Sequence, residues 1–278
     1  MPELPEVETV KRTLNTLVQG KKIQKVTVRL PRIIRRPDDI RVFETMLEGH
    51  TIERVERRGK FLRFLLDGLV LVSHLRMEGR YGLYAAEEPL DKHTHVIFHF
   101  EDGTELRYTD VRQFGTMDLF LPGDDLSLPP LNKLGLEPLD PEFTPEAFKD
   151  LVAGKNTKIK PLLLNQAYVV GIGNIYVDES LHRAGIHPET AAKSLTAEQL
   201  NRLHQAIVAT LTEAVNAGGS SVKSYVNGQG VSGSYQHKLL IYGRKDQACY
   251  SCGSVVEKSV VGGRGTHFCP SCQPLLLM

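Results

Sequence analysis

The sequence carries almost no excess charge: 34 Lys and Arg stand against 33 Asp and Glu in 278 residues, with a pI of about 7.7. That balance excludes a protein that coats nucleic acid by bulk charge, so a polyanionic partner must be met by local cationic patches. No apolar run reaches the roughly 18 residues that a membrane-spanning helix needs. The opening Met-Pro-Glu-Leu-Pro-Glu is acidic where an export signal would be basic and then apolar. These absences predict a cytoplasmic protein, neither exported nor membrane-anchored. Cysteine is scarce too: there are four, all between Cys249 and Cys272. Inside a reducing cell they are expected as thiols or metal ligands ahead of disulfides.

What is present is ordinary globular composition, 41% hydrophobic and 24% charged, on a chain long enough for more than one domain. Charge is unevenly spread. Residues 221–278 hold six basic and two acidic side chains, whereas 135–220 lean acidic. From Pro5 the pattern is helical, with a proline in the first turn, Glu6 and Glu8 at the positive end of the dipole, and Val7, Val10, Leu14, Leu17 and Val18 on one face up to Gly20. From Lys22 to about Arg112 the period becomes two. Ile23 to Leu30, Phe61 to Leu66 and Leu69 to Leu71 read as strands, and Val96 to Tyr108 as a hairpin turning at Asp102-Gly103. Several such strands predict a β-sandwich or barrel.

A proline-rich stretch over 122–145 reads as a linker. Helices are predicted after it, opening at Thr144-Pro145-Glu146, over Ile159 to Asn165 and over Asn174 to Ala184. A last one is capped by the Thr196/Gln199 box and stops at Gly218-Gly219. Residues 218–234 hold five Gly and five Ser and are expected to be mobile. The remaining module is too short to fold on an apolar core alone.

Its staple is Cys249-x2-Cys252-x16-Cys269-x2-Cys272. Two Cys-x2-Cys knuckles at this separation suit four thiolates around one structural Zn²⁺, with a pair of disulfides as the alternative and no organic cofactor expected. Between them Val255 to Val261 alternates, Gly262-Gly263-Arg264-Gly265 turns, and Thr266 to Phe268 returns. Arg264 is thereby aimed away from the protein, either as a solvated turn residue or as a phosphate or reactive-centre contact. At the other end, removal of Met1 would leave Pro2 as a secondary α-amine, partly neutral at cellular pH because such amines titrate near 7.7–8.0. Attack on a sugar C1′ would give an iminium. Glu3 could then serve as general acid or base with Glu6 in support, or the stretch is an acidic helix entry and nothing more.

The sequence resembles the formamidopyrimidine-DNA glycosylase family, bacterial enzymes of 8-oxoguanine repair. The resemblance rests on Met1-Pro-Glu-Leu-Pro-Glu-Val-Glu-Thr9, Arg58-Gly-Lys60-Phe, Ser73-His-Leu-Arg-Met77-Glu-Gly, Asp110-Val-Arg112-Gln-Phe114-Gly, Gly171-Ile-Gly-Asn174-Ile-Tyr, Tyr242-Gly-Arg244 and the zinc module through Gly263-Arg264-Gly-Thr-His-Phe. These run in family order over nearly the whole chain. It implies an α+β multidomain fold: an N-terminal β-sandwich with a flanking helix (1–134, catalytic), a helix-two-turn-helix domain (135–220), a flexible lesion-recognition loop (221–240) and a C-terminal β-hairpin zinc finger (241–278), with DNA held in the cleft between domains.

Carried over by position, Pro2 is the nucleophile, Glu3 assists ring opening, Lys60 donates a proton in β-elimination, and Arg264 assists δ-elimination while gripping phosphate. The implied activity is a bifunctional glycosylase and apurinic-site lyase excising oxidised purines from double-stranded DNA, acting as a monomer. Such an enzyme must extrude the damaged nucleotide. Met77, Arg112 and Phe114 correspond to the wedge that fills the gap. The segment around Ser220, Ser224 and Tyr225 is the candidate lid over the base. Phosphate contacts are expected from His74, His93, Lys155, Asn174 and Arg244, with Lys160 as a further candidate.

Two departures from the family pattern stand out. Gln113 sits where the family usually has Lys or Arg, and the chain ends in Gln-Pro-Leu-Leu-Leu-Met in place of a short basic tail. The sister endonuclease VIII type, acting on oxidised pyrimidines, is one alternative. A zinc-ribbon nucleic-acid-binding protein without chemistry is another.

Overall fold

A computed structural model describes residues 1–220 and 233–275 of the chain, which divides into two compact units. The first comprises Met1–Lys133 with the described part of Gly218–Gly233, and the second Leu134–Ala217 with Ser234 onward.

The first unit opens with α1 (Leu4–Val18), as the sequence predicts, and continues through β1 (Ile23–Val28), β2 (Ile34–Arg36), α2 (Ile40–Leu47), β3 (Ile52–Arg58), β4 (Phe61–Leu66), β5 (Val70–His74), β6 (Arg80–Ala85), β7 (Thr94–Phe100), β8 (Thr104–Thr109), β9 (Thr116–Phe120) and the short α3 (Asp124–Ser127). The strands form two sheets, ordered β1-β7-β8-β6 and β2-β9-β5-β4-β3, antiparallel throughout except for β2 beside β9. Ile23, Phe98, Leu106 and Tyr81 of one sheet share a buried core with Phe64, Leu71, Met117 and Val55 of the other and with Val7, Val10 and Leu14 of α1. Two open sheets burying one face each make this a sandwich, which resolves the choice between sandwich and barrel.

A uniform period of two over this region misses α2. The Asp39 carboxylate caps that helix, accepting from the Arg41 and Val42 N–H groups, while Phe43 and Leu47, one turn apart, reach the core. The 122–145 stretch is also more structured than a linker. It holds α3, and Leu131 and Phe143 are buried.

In the second unit lie α4 (Pro145–Val152), α5 (Ile159–Leu164), α6 (Asn174–Ala184) and α7 (Ala197–Asn216), then the hairpin of β10 (Glu257–Val261) and β11 (Arg264–Phe268). Helix α7 is opened by the expected Thr196/Gln199 capping box, with both reciprocal bonds formed. The hairpin turn is shorter than the sequence suggests. Gly262 and Gly263 alone make it, both at positive φ, the two-residue type that only such residues close without strain. Arg264 is therefore the first residue of the returning strand, paired with Val261, and not part of the tip.

Candidate active site and metal centre

The N-terminal turn is held by carboxylates. Pro2 is buried behind an exposed Met1, and Glu3 is the N-cap of α1 in a reciprocal capping box with Glu6. One Glu6 oxygen accepts from the Glu3 N–H at 2.8 Å and the other from the Ser220 N–H at 2.6 Å. Glu6 thus ties the residue beside Pro2 to the start of the Gly/Ser segment, 214 positions away. The approach requires glycine at 219: its φ is +79°, and a Cβ there would lie 2.8 Å from the Glu6 carboxylate. Ser224 and Tyr225 lie outside the described residues.

Lys60 sits with Gly59 in the two-residue turn joining β3 to β4, where Arg58 pairs with Phe61 and Gly59 has φ +57°. Its side chain is mostly buried, at 6% exposure. His74, at the end of β5, packs edge-on against the Phe61 ring at 4.4 Å and accepts the Arg76 N–H on Nδ1. Burial, reinforced by the Arg76 and Lys60 cations, pushes its pKa down to about 3. With Nδ1 accepting, the neutral ring carries its proton on Nε2, so His74 can serve a phosphate only as a neutral hydrogen-bond donor and not by charge.

The three wedge candidates come from two turns that share one hydroxyl. Met77 is in the turn closed by the Gly79 N–H on the Leu75 carbonyl, and Arg112 and Phe114 are in the turn 110–115. The Asp110 carboxylate organises the second turn, accepting from the N–H groups of Arg112, Phe114 and Gly115 at 3.0, 2.9 and 2.8 Å. The Tyr108 hydroxyl lies where a Cβ on either Gly79 or Gly115 would collide, at 2.3 and 1.7 Å. Both turns therefore close onto the same ring. Phe114 is 52% exposed, unusual for phenylalanine, with the Arg112 guanidinium 5.0 Å from its ring centre. His93 is half-buried, and its carbonyl accepts the Asp110 N–H. Gln113, held at φ +58°, accepts a hydrogen bond from exposed Arg32, so a guanidinium from outside the motif stands beside the position where the family usually has its own cation.

The second unit is organised by one face of α6. Asn174 Nδ2 donates to the Gly265 carbonyl at 2.8 Å. Asp178 accepts from Lys160 Nζ at 2.7 Å on one oxygen and from the His267 N–H at 2.9 Å on the other. Glu179 accepts the N–H groups of Leu240, Ile241 and Tyr242, and burial pushes its carboxyl up despite them. Lys160 corrects an expectation. Its ammonium, on α5, is wholly buried and also donates to the Thr266 hydroxyl and the Gly265 carbonyl, so it holds β11 in place and offers no phosphate contact. Arg244 is half-buried, stacks on Tyr250 and donates one N–H each from Nη1, Nη2 and Nε to the Leu240 carbonyl, the Ala248 carbonyl and the Gln247 side chain, which fixes its guanidinium without using all five N–H groups. Lys155 is half-buried with its ammonium 5.2 Å from the Tyr168 ring, and Arg264 is exposed. The roles of Asp178, Glu179 and Asp110 escape sequence reasoning, because their partners lie far away in the chain or are backbone N–H groups.

The four cysteine sulfurs all lie within 4.8 Å of one another, with Cys249 to Cys272 at 3.9 Å and Cys252 to Cys269 at 3.4 Å. A tetrahedral zinc with Zn–S bonds of about 2.3 Å separates its sulfurs by about 3.8 Å, so the donor set fits one such ion and leaves no position open for catalysis. Cys249 and Cys269 are themselves half of the module's small core, with Ile241 and Val256. Beyond them the chain stays docked through buried Gln273, which donates to the Ile186 carbonyl and accepts the Cys269 N–H; residues 276–278 lie outside the described residues.

Three family descriptions match in order: the formamidopyrimidine-DNA glycosylase N-terminal domain over residues 1–117, the H2TH domain of the same family over 134–226, and the zinc finger found in FPG and IleRS over 246–275. A formamidopyrimidine-DNA glycosylase of Brevibacillus brevis is 63% identical over 98% of this chain and 99% of its own length. Two solved structures of Lactococcus lactis Fpg cover 99% of this chain and 100% of theirs. One, bound to DNA containing N7-benzyl-Fapy-dG, has a TM-score of 0.91 at 41% identity. The other, bound to DNA containing an oxidised pyrimidine, has 0.90 at 40%. No helix among the described residues is long and apolar enough to cross a membrane.

Proposed function

The chain belongs to the formamidopyrimidine-DNA glycosylase family and is a DNA-repair glycosylase, and we propose that it removes oxidised purines from duplex DNA by covalent catalysis at Pro2. The observation that carries this reading is the double acceptance by Glu6. One carboxylate holds both Glu3, the neighbour of Pro2, and Ser220 at the entry to the Gly/Ser segment, which supports a reading in which base recognition and sugar chemistry are coupled.

With Met1 removed, the Pro2 nitrogen bonds to C1′ of the damaged nucleotide. The bond from C1′ to the base breaks, its electron pair leaving with the base, which takes up a proton. Glu3 protonates O4′ as the sugar ring opens to the iminium. Loss of a C2′ proton then expels the 3′ phosphate, with Lys60 donating to the leaving oxygen, and a second elimination assisted by Arg264 expels the 5′ phosphate. Met77, Arg112 and Phe114 fill the space left in the helix. His93, Lys155, Arg244, the His74 Nε2–H and the N-terminal N–H groups of α6 serve the phosphates, with Arg32 as an added contact beside the wedge. Asn174 contributes by holding β11 through its amide. Zinc, bound by the four cysteines, supplies the folding energy of the hairpin that carries Arg264. The enzyme acts as a monomer in the bacterial cytoplasm.

Borohydride reduction in the presence of lesion-bearing duplex should trap a protein–DNA adduct that peptide mapping places on Pro2 of demethionylated protein. An adduct on a lysine, or none, would overturn catalysis by the N-terminus. Excision from 8-oxoguanine and thymine-glycol duplexes tests the substrate class separately. A strong pyrimidine preference would favour the endonuclease VIII type of specificity.

A further inference from the structure

Helix α6 contacts the zinc module at more places than its polar grip on β11. One turn beyond Asp178, on the same face, His182 is 6% exposed and directs Nε2 to the Cys249 sulfur at 3.5 Å. A zinc-bound thiolate has lone pairs and no proton to give, so the nitrogen facing it is the one that carries hydrogen. The opposite ring nitrogen, Nδ1, is buried and has no hydrogen-bond partner among the described residues, so no acceptor there draws the proton to the other tautomer. The two buried sulfurs are thus served differently. Cys269 receives the Cys272 backbone N–H at 3.4 Å, a bond within the knuckle, while Cys249 faces a side chain from a different element.

We propose that His182 is a positioning residue of the metal centre, its Nε2–H hydrogen-bonded to the Cys249 thiolate so that metal retention depends on helix α6. Four thiolates around one Zn²⁺ leave a net charge of −2 in a partly buried site. An N–H donor aimed at one of them offsets part of that charge and holds the sulfur in its place among the four, so that the ligand set opens less readily. The same contact fixes the first knuckle against the helix whose Asn174, Asp178 and Glu179 hold β11 and the 240–242 segment. The inference depends on zinc filling the four-cysteine cluster and is independent of the glycosylase chemistry.

The test uses the zinc-loaded full chain and follows metal transfer to a colorimetric chelator. His182→Phe keeps a ring of similar size without the donor and should release zinc about tenfold faster. His182→Gln places an N–H near the Nε2 position and should retain the wild-type rate. Release from His182→Phe at the wild-type rate, or from His182→Gln as fast as from His182→Phe, would overturn the proposal in favour of simple packing. Should the Phe variant fail to fold, the wild-type protein loaded with cadmium-113 decides. Scalar coupling between the metal and the His182 Nε2–H proton is expected through the hydrogen bond, and its absence refutes it.

Discussion

The sandwich and the zinc module present a cation by the same local device and support it by different forces. Lys60 occupies a two-residue hairpin turn led by Gly59, and Arg264 follows the two-residue turn Gly262-Gly263. Behind Lys60 stands a continuous apolar core drawn from both sheets and α1. Behind Arg264 the apolar core is four residues, two of them cysteines, and the rest of the support is polar: the buried Lys160–Asp178 pair, the Asn174 amide and a metal site. A turn can thus be placed with equal definition by burial or by coordination with hydrogen bonds, but the second route fails when one partner is lost.

Metal removal breaks the comparison most severely. Chelation should abolish hydrogen-exchange protection across 241–275 while the sandwich strands stay protected, since the module lacks an apolar core of its own. Equal loss in both regions would mean that the supports are not separate.

Next in size is Lys160→Met, which leaves the Asp178 carboxylate buried without its ammonium. It should lower unfolding stability by about 3–5 kcal/mol in urea titrations, with the exchange changes centred on β11, and adding Asp178→Leu should recover only part of the loss, because the His267 N–H is then left without its acceptor.

On the sandwich side the corresponding weakness is a pH effect of about 1.4 kcal/mol per unit. The His74 imidazole takes up a proton near pH 6.5 when unfolded but only near 3 when folded. Between these values the unfolded chain binds more protons. Stability is therefore complete above pH 6.5 and falls as the pH drops toward 3. In His74→Phe that component of the acid sensitivity should disappear.

The smallest change in stability, within about 0.5 kcal/mol, is expected for Arg264→Ala, because the side chain is exposed. Zinc content should be unchanged. DNA binding should weaken, the slope of log affinity against log salt should fall by about one, and strand cleavage should drop. Loss of zinc in this variant would instead make Arg264 part of the module's structure.

Features with a short-range signature were legible in the sequence: the cysteine knuckles, the Thr196 capping box, the Pro-Glu entry to α1 and the glycine-led turns. What stayed hidden depends on partners far apart in the chain. Lys160 reads as one more cation in a basic stretch, yet Thr266, 106 positions away, makes it a buried strut. Arg32 and Gln113 meet across 81 positions, and nothing near either residue signals the contact. Helix α2 is short enough that its two core-facing residues were absorbed into the surrounding strand pattern. Arg264 reads as part of the turn because a run of turn-forming residues does not reveal that Gly262 and Gly263 suffice.

The shared hydroxyl of Tyr108 has a consequence for anyone who would rebuild the two loops that carry the proposed wedge. Residues 75–79 and 110–115 both close on that ring through glycines that tolerate no side chain. Neither loop can be lengthened, swapped or randomised while the other stays as it is. A library that varies Met77, Arg112 and Phe114 but keeps Gly79, Tyr108, Asp110 and Gly115 constant treats the two loops as one cassette, the smallest piece of the sandwich that could be transplanted with its geometry intact.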